Sequence, residues 1–441
     1  MASLKGEAIQ PGHVAYDQSR RVWNAAIDHR PSVIVRPGCV EDIRHAVRFA
    51  MDQGLPVSVK GGGHSVAGHS VGEDSVMIDL APLSDIKIDP GARRMTVRGG
   101  ATWGEAMEVC APHGLATPGA FNHHVGVSGL TLGGGYGVLS RLHGLAADNL
   151  VEAEVLTADG EVRIVGESEH PELFWCLRGA GANFGVVTAL TFRMHDVGTW
   201  LAGSMVWPVS RYREVLAAYR EFTSDLPDAA SAYLGFKNLP RQEGYVFLIA
   251  FHAGALEDGQ RILDPLRNFP PPLTADFRPR SYLELHDGNV EAFPAGHRNY
   301  WKACFLPQLP DAALAALAET AERTSGMDYY IVIEHLGGAM GAVDATTTAF
   351  PHRNARFGLA ITCKWRRPSD GDPLIAAAQS LHAAVWPHST GGIYVNYLGK
   401  DATDSDIRAA YGTNIERLRR AKAIYDPGNL FRCNANILPG T

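Results

Sequence analysis

Three segments of the chain are rich in glycine: KGGGHSVAGHSVG (60–72), VGVSGLTLGGGYG (125–137) and LRGAGANFGVV (177–187). Glycine tolerates positive φ and leaves the main chain bare, so such loops let a ligand lie against backbone N–H groups, one way of holding a phosphate without a cation. The competing reading is a set of tight turns between strands. Three clusters in one half of the chain, holding 14 of its 47 glycines, favour the ligand surface.

Two common motifs fail on inspection. A G-x-G-x-x-G fingerprint is missing, since 133–138 reads GGGYGV and 179–184 reads GAGANF, which argues against a nicotinamide-binding βαβ unit. Gly68 to Gly72 matches the G-x-S-x-G elbow of hydrolases through Ser70, but the elbow needs a strand before the serine and a helix after it. Here a glycine loop precedes and the strand-like EDSVMIDL follows, so a serine hydrolase is only the minor alternative. The 18 histidines include no H-E-x-x-H and form no Cys/His quartet, so no metal is expected.

At 441 residues the chain exceeds what one core fills, which predicts two domains. Lys plus Arg number 40 against 47 Asp plus Glu, a net charge of −7 with no basic block, so a nucleic-acid partner is not expected. No apolar run approaches the ~18–20 residues of a membrane span. The six cysteines lie far apart without a C-x-x-C pair, and MASLKGEAIQPGH lacks the apolar core of a signal peptide; both point to free thiols in the cytoplasm.

Residues 32–35 read as a strand, and Val40, Ile43, Ala46, Val47 and Ala50 as a helix stopped by Gly54. Thr102 to Glu105 is a capping box, Ala158-Asp159-Gly160 a hairpin turn, and 172–178 a further helix. From Gly198 the texture changes to strand-like YLGF, YVFLIAF, YYIVIEHL and RFGLAITCKW, with helices near 209–223, 255–266, 311–324 and 373–386. This predicts antiparallel sheet with helices on one face, and an α+β fold overall. Ile407, Tyr411, Ile415, Leu418 and Tyr425 form an apolar stripe that predicts one long C-terminal helix ending at Asp426-Pro427-Gly428.

These stretches, together with PGAFNHHVGVSGLTLGGGYGVLSRLHGLAADNLV, ELFWCLRGAGANFGVVT, TAFPHR, YVNY and YGTNIERLRRAKAIYDPGNLFRCNANI, resemble the berberine bridge enzyme branch of the vanillyl-alcohol oxidase and p-cresol methylhydroxylase flavoproteins, its bacterial members above all. The resemblance implies a two-domain FAD-linked oxidase fold: an FAD-binding domain over 1–198, a substrate domain over 199–390, and a segment, 391–441, returning to the FAD domain. It implies FAD bonded covalently through His64 alone, because Asn122 stands where many relatives have a second, cysteine link before Val125-Gly126. Gly61, Gly62, Gly63, Ser65 and Ser70 would surround the pyrophosphate. Gly126, Ser128, Gly129, Gly133, Gly134 and Gly137 would pass the ribityl and ring system, with Val125 beside the flavin face. Asp148, Asn149, Val186, Val187, Asn396, Asn434 and Asn436 would lie near the isoalloxazine.

The activity implied is hydride transfer from a C–H bearing an alcohol or amine of a small aromatic or heterocyclic molecule to flavin N5, then to O2 as H2O2. A dehydrogenase that does not use O2 is the alternative. The chain would act as a monomer or homodimer. Glu334 is the one carboxylate in an apolar strand and shares a face with Tyr330 and Val332, which makes it a candidate base; a strand-edge carboxylate paired with an arginine is the other reading. Tyr136, Tyr394 and Tyr397 are further candidates. Period-two alternation sends Tyr394 and Asn396 to one face and Tyr397 to the other. Residues 233–236 and 245–251 read as core more than as pocket.

Overall fold

The computed structural model describes residues 4–287 and 293–440. Strands β1 (Glu7–Ile9), β2 (Val33–Arg36), β3 (Val57–Lys60) and β4 (Val76–Asp79) form a sheet in the order β1–β2–β4–β3, with only β1 antiparallel. Helix Val40–Gln53 buries Ile43, Ala46, Val47 and Ala50 in the core under this sheet, and Gly54, at φ 66°, ends it in the left-handed conformation. The chain continues through β5 (Ile86–Asp89), β6 (Arg94–Arg98), β7 (Leu115–Ala116), β8 (Leu150–Leu156), β9 (Val162–Gly166), β10 (Val186–Arg193) and β11 (His195–Asp196). An antiparallel sheet takes the order β5–β6–β10–β8–β9, and β7 pairs with β11. The capping box closes as expected: Glu105 N donates to Thr102 Oγ1, and Thr102 N to Glu105 Oε2 at 2.8 Å.

Seven further strands, β12 (Thr199–Pro208), β13 (Ala230–Leu239), β14 (Gln242–His252), β15 (Thr274–Ser281), β16 (Arg298–Leu306), β17 (Tyr329–His335) and β18 (Phe357–Trp365), make one antiparallel sheet in the order β15–β12–β14–β13–β17–β18–β16. The two faces of this sheet are chemically distinct because side chains alternate. Leu234, Phe236, Val246, Leu248, Ile331, Ile333, Leu359 and Ile361 join the core with helices Tyr212–Phe222, Asp311–Arg323 and Gly371–Val385. Tyr233, Phe247, Ile249, Tyr330, Val332, Glu334, Ala360 and Thr362 face a cavity instead. The segments 233–236 and 245–251 are therefore core and pocket wall alternately, where the sequence favoured core alone. The fold is α+β, and no helix among the described residues is long and apolar enough to cross a membrane.

The single long C-terminal helix is not observed. Helices Asp404–Tyr411 and Ile415–Tyr425 are separated by a turn at Gly412–Asn414, where Gly412 adopts φ +51° against Pro351. Asn414 fixes the break by donating from Nδ2 to the carbonyls of Ala345, Thr348 and Ala349. Beyond it the chain returns to the first sheet: Val57 N donates to Leu430 O at 3.1 Å, and Leu430 and Phe431 join its core.

A glycine-walled cavity closed by a buried carboxylate

One cavity of about 340 Å³ runs between the amino-terminal sheets and the open face of the seven-stranded sheet. Its first wall is the three glycine segments. Gly61, Gly62, Gly63, His64, Ser65 and Ser70 line it from the first, Val125, Gly126, Ser128, Gly129 and Gly133 from the second, and Gly179, Gly185 and Val187 from the third. The first two loops meet backbone to backbone, since a Cβ on Gly62 would fall 2.3 Å from Gly126 N and one on Gly126 2.3 Å from Gly62 N. Ser70 precedes β4 and not a helix, so no strand–serine–helix elbow is formed.

This wall suits FAD. Among the described residues, the amides of Gly61 to Ser65 have no protein acceptor, which leaves a row of donors for a pyrophosphate. Buried side-chain atoms also lack partners: His64 Nε2, Asn122 Nδ2 and Asn434 Oδ1, all on lining residues. Asn122 Oδ1 is already engaged by His124 N at 2.9 Å, so its amide group is oriented with the donor end spare. Among the described residues, no lysine or arginine lines the cavity and Glu334 is its only acidic residue. Burial holds the His64 imidazole down to about 4 and therefore neutral at pH 7.

Six expected cofactor contacts lie outside the lining. The Asp148 carboxylate takes both ends of the Arg353 guanidinium at 2.7 Å and caps Leu145 N at 2.8 Å. Asn149 donates to the carbonyls of His143 and Leu145 and pairs through Oδ1 with His195 Nε2. Val186 points into the core while its strand neighbour Val187 faces the cavity. Gly134 and Gly137 turn toward Phe350 and the Gly119 carbonyl. Asn436 keeps an unpartnered buried Oδ1 but stands one residue past the wall, which ends at Asn434 and Ala435.

At the other end the four candidate catalytic residues come together. Glu334 is 4% exposed; Tyr136 OH donates to its Oε2 at 2.7 Å and Tyr397 OH to its Oε1 at 2.9 Å. Burial pushes the Glu334 carboxyl up to about 7, and the two tyrosine donors pull it back. Burial first, and then the adjacent carboxylate, raise both tyrosines well above 10. The arginine-paired alternative for Glu334 is thus replaced by a tyrosine pair. Residues 394–397 do not alternate as a strand: Val395–Tyr397 is a 3₁₀ turn, and all four residues line the cavity. Asn396 sets that turn by donating from Nδ2 to Leu130 O at 3.0 Å and to Tyr394 OH at 2.8 Å.

Residues that were not site candidates complete the sheet-side wall: Phe293, Trp301 and Thr362, with Phe247, Ile249 and Phe251 from the stretch read as core more than as pocket. Phe247, Ile249 and Phe251 were legible in principle as one face of an alternating strand. Register places Glu334 between Tyr233 on β13 and Gly358 on β18. A Cβ at 358 would stand 2.7 Å from Glu334 Oε2 and 3.3 Å from Tyr136 OH. Gly358→Ala is therefore expected to displace the carboxylate from Tyr136. Losing a hydrogen bond to a charged group costs ~1.5–3 kcal/mol, so kcat/KM should fall roughly tenfold or more. Because Tyr136 stabilises the charged form, the acid limb of the pH–rate profile should move to higher pH.

A glycine-walled, cation-free cavity that ends at a buried acid on an antiparallel sheet defines an FAD-dependent oxidoreductase. The model described as FAD binding domain matches residues 31–166, and the one described as Berberine and berberine like matches 393–438. The chain belongs to the berberine bridge enzyme-like branch of the vanillyl-alcohol oxidase and p-cresol methylhydroxylase flavoprotein superfamily. (R)-6-Hydroxynicotine oxidase of Paenarthrobacter nicotinovorans is 31% identical over 99% of this chain and 97% of its own. Glucooligosaccharide oxidase of Sarocladium strictum is 28% identical over 100% and 93%. The crystal structure of 6-hydroxy-D-nicotine oxidase from Arthrobacter nicotinovorans superposes with a TM-score of 0.91 at 29% identity, covering 100% of this chain and 99% of that one.

Proposed function

We propose that the protein is an oxidase that takes a hydride from a C–H bearing an alcohol or amine of a small aromatic or heterocyclic molecule, with O2 as final acceptor. The observation that carries this reading is the Glu334 carboxyl, buried in the cavity wall and raised to about 7, where it can accept a proton at neutral pH. When bound, FAD would supply the two-electron acceptor for the substrate hydride and the route for those electrons to O2. Glu334 takes the O–H or N–H proton, and Tyr136 and Tyr397 orient its oxygens and stabilise the charged form. His64 would hold the cofactor covalently, the Gly61 to Ser65 amides would donate hydrogen bonds to its pyrophosphate, and Asn122 would offer a hydrogen bond in place of a second link. Residues 1–198 with 391–441 form the FAD-binding part and 199–390 the part that selects substrate. The six cysteines are free and four are buried, which supports a cytoplasmic site of action.

Apart from Glu334, tyrosine and threonine hydroxyls and the unpartnered Trp301 Nε1, the described sheet-side wall is rings and aliphatic groups, and Thr362 Oγ1 is spent on Tyr330 O at 2.8 Å. Such a wall favours a flat apolar ring over a polyhydroxylated sugar, whose hydroxyls would lose water without finding partners. A panel of aromatic amines, aromatic alcohols and oligosaccharides tests this by anaerobic bleaching of the flavin absorbance and by H2O2 release in air. Bleaching by an aromatic amine or alcohol, with H2O2 in air, is expected. Bleaching without H2O2 would make the protein a dehydrogenase, and bleaching only by sugars would reverse the substrate class.

A further inference from the structure

Trp23 is outside the cavity lining, yet its indole lies flat on the His64 imidazole, with ring centroids 4.4 Å apart and planes 18° apart. Its own position is fixed on several sides. Trp23 N donates to Gly63 O at 3.0 Å, Gly296 N donates to Trp23 O at 3.2 Å, and Trp23 Nε1 donates to Phe293 O at 2.9 Å. Trp301, a cavity residue, meets the indole edge-on at 5.9 Å. The next two residues repeat the pattern. Asn24 donates from Nδ2 to Val66 O at 2.7 Å and to Asn299 O at 3.1 Å and accepts from Asn299 N at 2.8 Å, while Ala25 N donates to His297 O at 2.9 Å. Three residues of an otherwise irregular segment thus clasp the His64 loop to residues 293–299 beside the sheet-side wall.

The His64 Nε2 is buried without a hydrogen-bond partner, so no contact at that nitrogen fixes the ring plane. A nitrogen bonds to carbon along a lone pair lying in the imidazole plane. Whatever fixes that plane fixes the direction of attack, and a flat aromatic stack does so.

We propose that Trp23 is a positioning residue for attachment of the flavin, holding the His64 imidazole so that Nε2 meets the flavin 8α-methyl carbon. This rests on the reading of His64 as the attachment point. In the reaction a C–N bond forms between the methyl carbon and Nε2, and one methyl C–H and the imidazole N–H are lost. The two electrons released enter the flavin, and O2 removes them with the two protons as H2O2. Since the same residues hold 293–299, one clasp sets both the attachment geometry and the adjoining sheet-side segment.

The test uses the full-length chain produced in flavin-poor medium and then given FAD. Total bound flavin is read from absorbance, and attached flavin from the yellow colour that precipitates with the protein in acid. Trp23→Leu keeps apolar volume without a flat ring, and the rate of attachment is expected to fall roughly tenfold or more at unchanged total binding. Trp23→Phe keeps a stacking ring without the indole donor and should stay within about threefold of the parent. If Trp23→Leu yields no folded chain, Trp23→Met takes its place. Attachment in the Leu or Met variant at the parent rate, or a Phe variant as slow as Leu, would overturn the proposal. So would a loss of total binding that matches the loss of attachment, the mark of a merely structural residue. His64→Ala separates the two levels: a colourless acid pellet supports the attachment reading, whereas acid-stable flavin there overturns that reading and the role of Trp23 with it.

Discussion

Replacing Glu334 by glutamine is expected to slow flavin reduction by substrate at least ~10²-fold, the usual contribution of a placed general base, with FAD content unchanged. Glutamine keeps the shape and can still accept from one tyrosine hydroxyl through its oxygen while its amide donates to the other, but it cannot take a proton. The wild-type group is active as the carboxylate and titrates near 7, so kcat/KM should rise with pH through that value and level off above it. The glutamine variant should lose this limb altogether. Tyr397→Phe removes one of the two donors that stabilise the charged form, so its limb should shift to higher pH. Anaerobic stopped-flow bleaching across neutral pH measures all three. A glutamine variant reduced at the parent rate would move the base elsewhere. The tyrosines are poor successors, because burial and the neighbouring acid hold both phenols protonated and, among the described residues, no lysine or arginine lines the cavity to reverse that.

What could be read from the sequence was chemistry carried by short-range pattern. The glycine clusters announced a bare main-chain surface because each cluster is contiguous, and the structure brings all three to one wall. Glu334 was visible because a lone carboxylate in an alternating apolar strand has one face to occupy. What escaped was decided by contacts distant in sequence. Residues 394–397 look like a strand, yet Asn396 bonds to Leu130 O and turns them into 3₁₀ geometry, which brings Tyr397 to Glu334. Asp148 and Asn149 sit in the expected stretch, but Arg353 and His195, remote in sequence, claim their side chains. Trp23 lies in a segment without periodicity, so only tertiary structure reveals its stack on His64.

The largest loss of stability is expected from Lys422→Met. Lys422 and Asp426 are both fully buried, 2.7 Å apart, on the last turn of helix Ile415–Tyr425 and just beyond it. The ammonium spends its remaining donors on Asn183 O at 2.7 Å and Phe431 O at 2.9 Å, and the carboxylate accepts from the amides of Leu430 and Phe431. Asn183 carries the connection on, accepting from Ile437 N at 2.9 Å and donating to Ala435 O at 3.2 Å. This network therefore ties the third glycine loop to the wall formed by Phe431, Cys433, Asn434 and Ala435. Removing one partner of a buried pair costs ~3–5 kcal/mol, because the other charge is stranded away from water. Methionine fills the lysine stem but leaves Asp426 with its two amide donors alone and the Asn183 carbonyl without its donor, while Phe431 O keeps only the Asn434 amide. Denaturant titration should show the loss, with flavin released from its site at lower denaturant than in the parent. Adding Asp426→Asn removes the stranded charge while keeping an acceptor for one amide, so the double variant should regain part of the loss. A single variant as stable as the parent, or a double variant that loses the sum of both changes, would mean that the C-terminal segment is held by its apolar contacts alone.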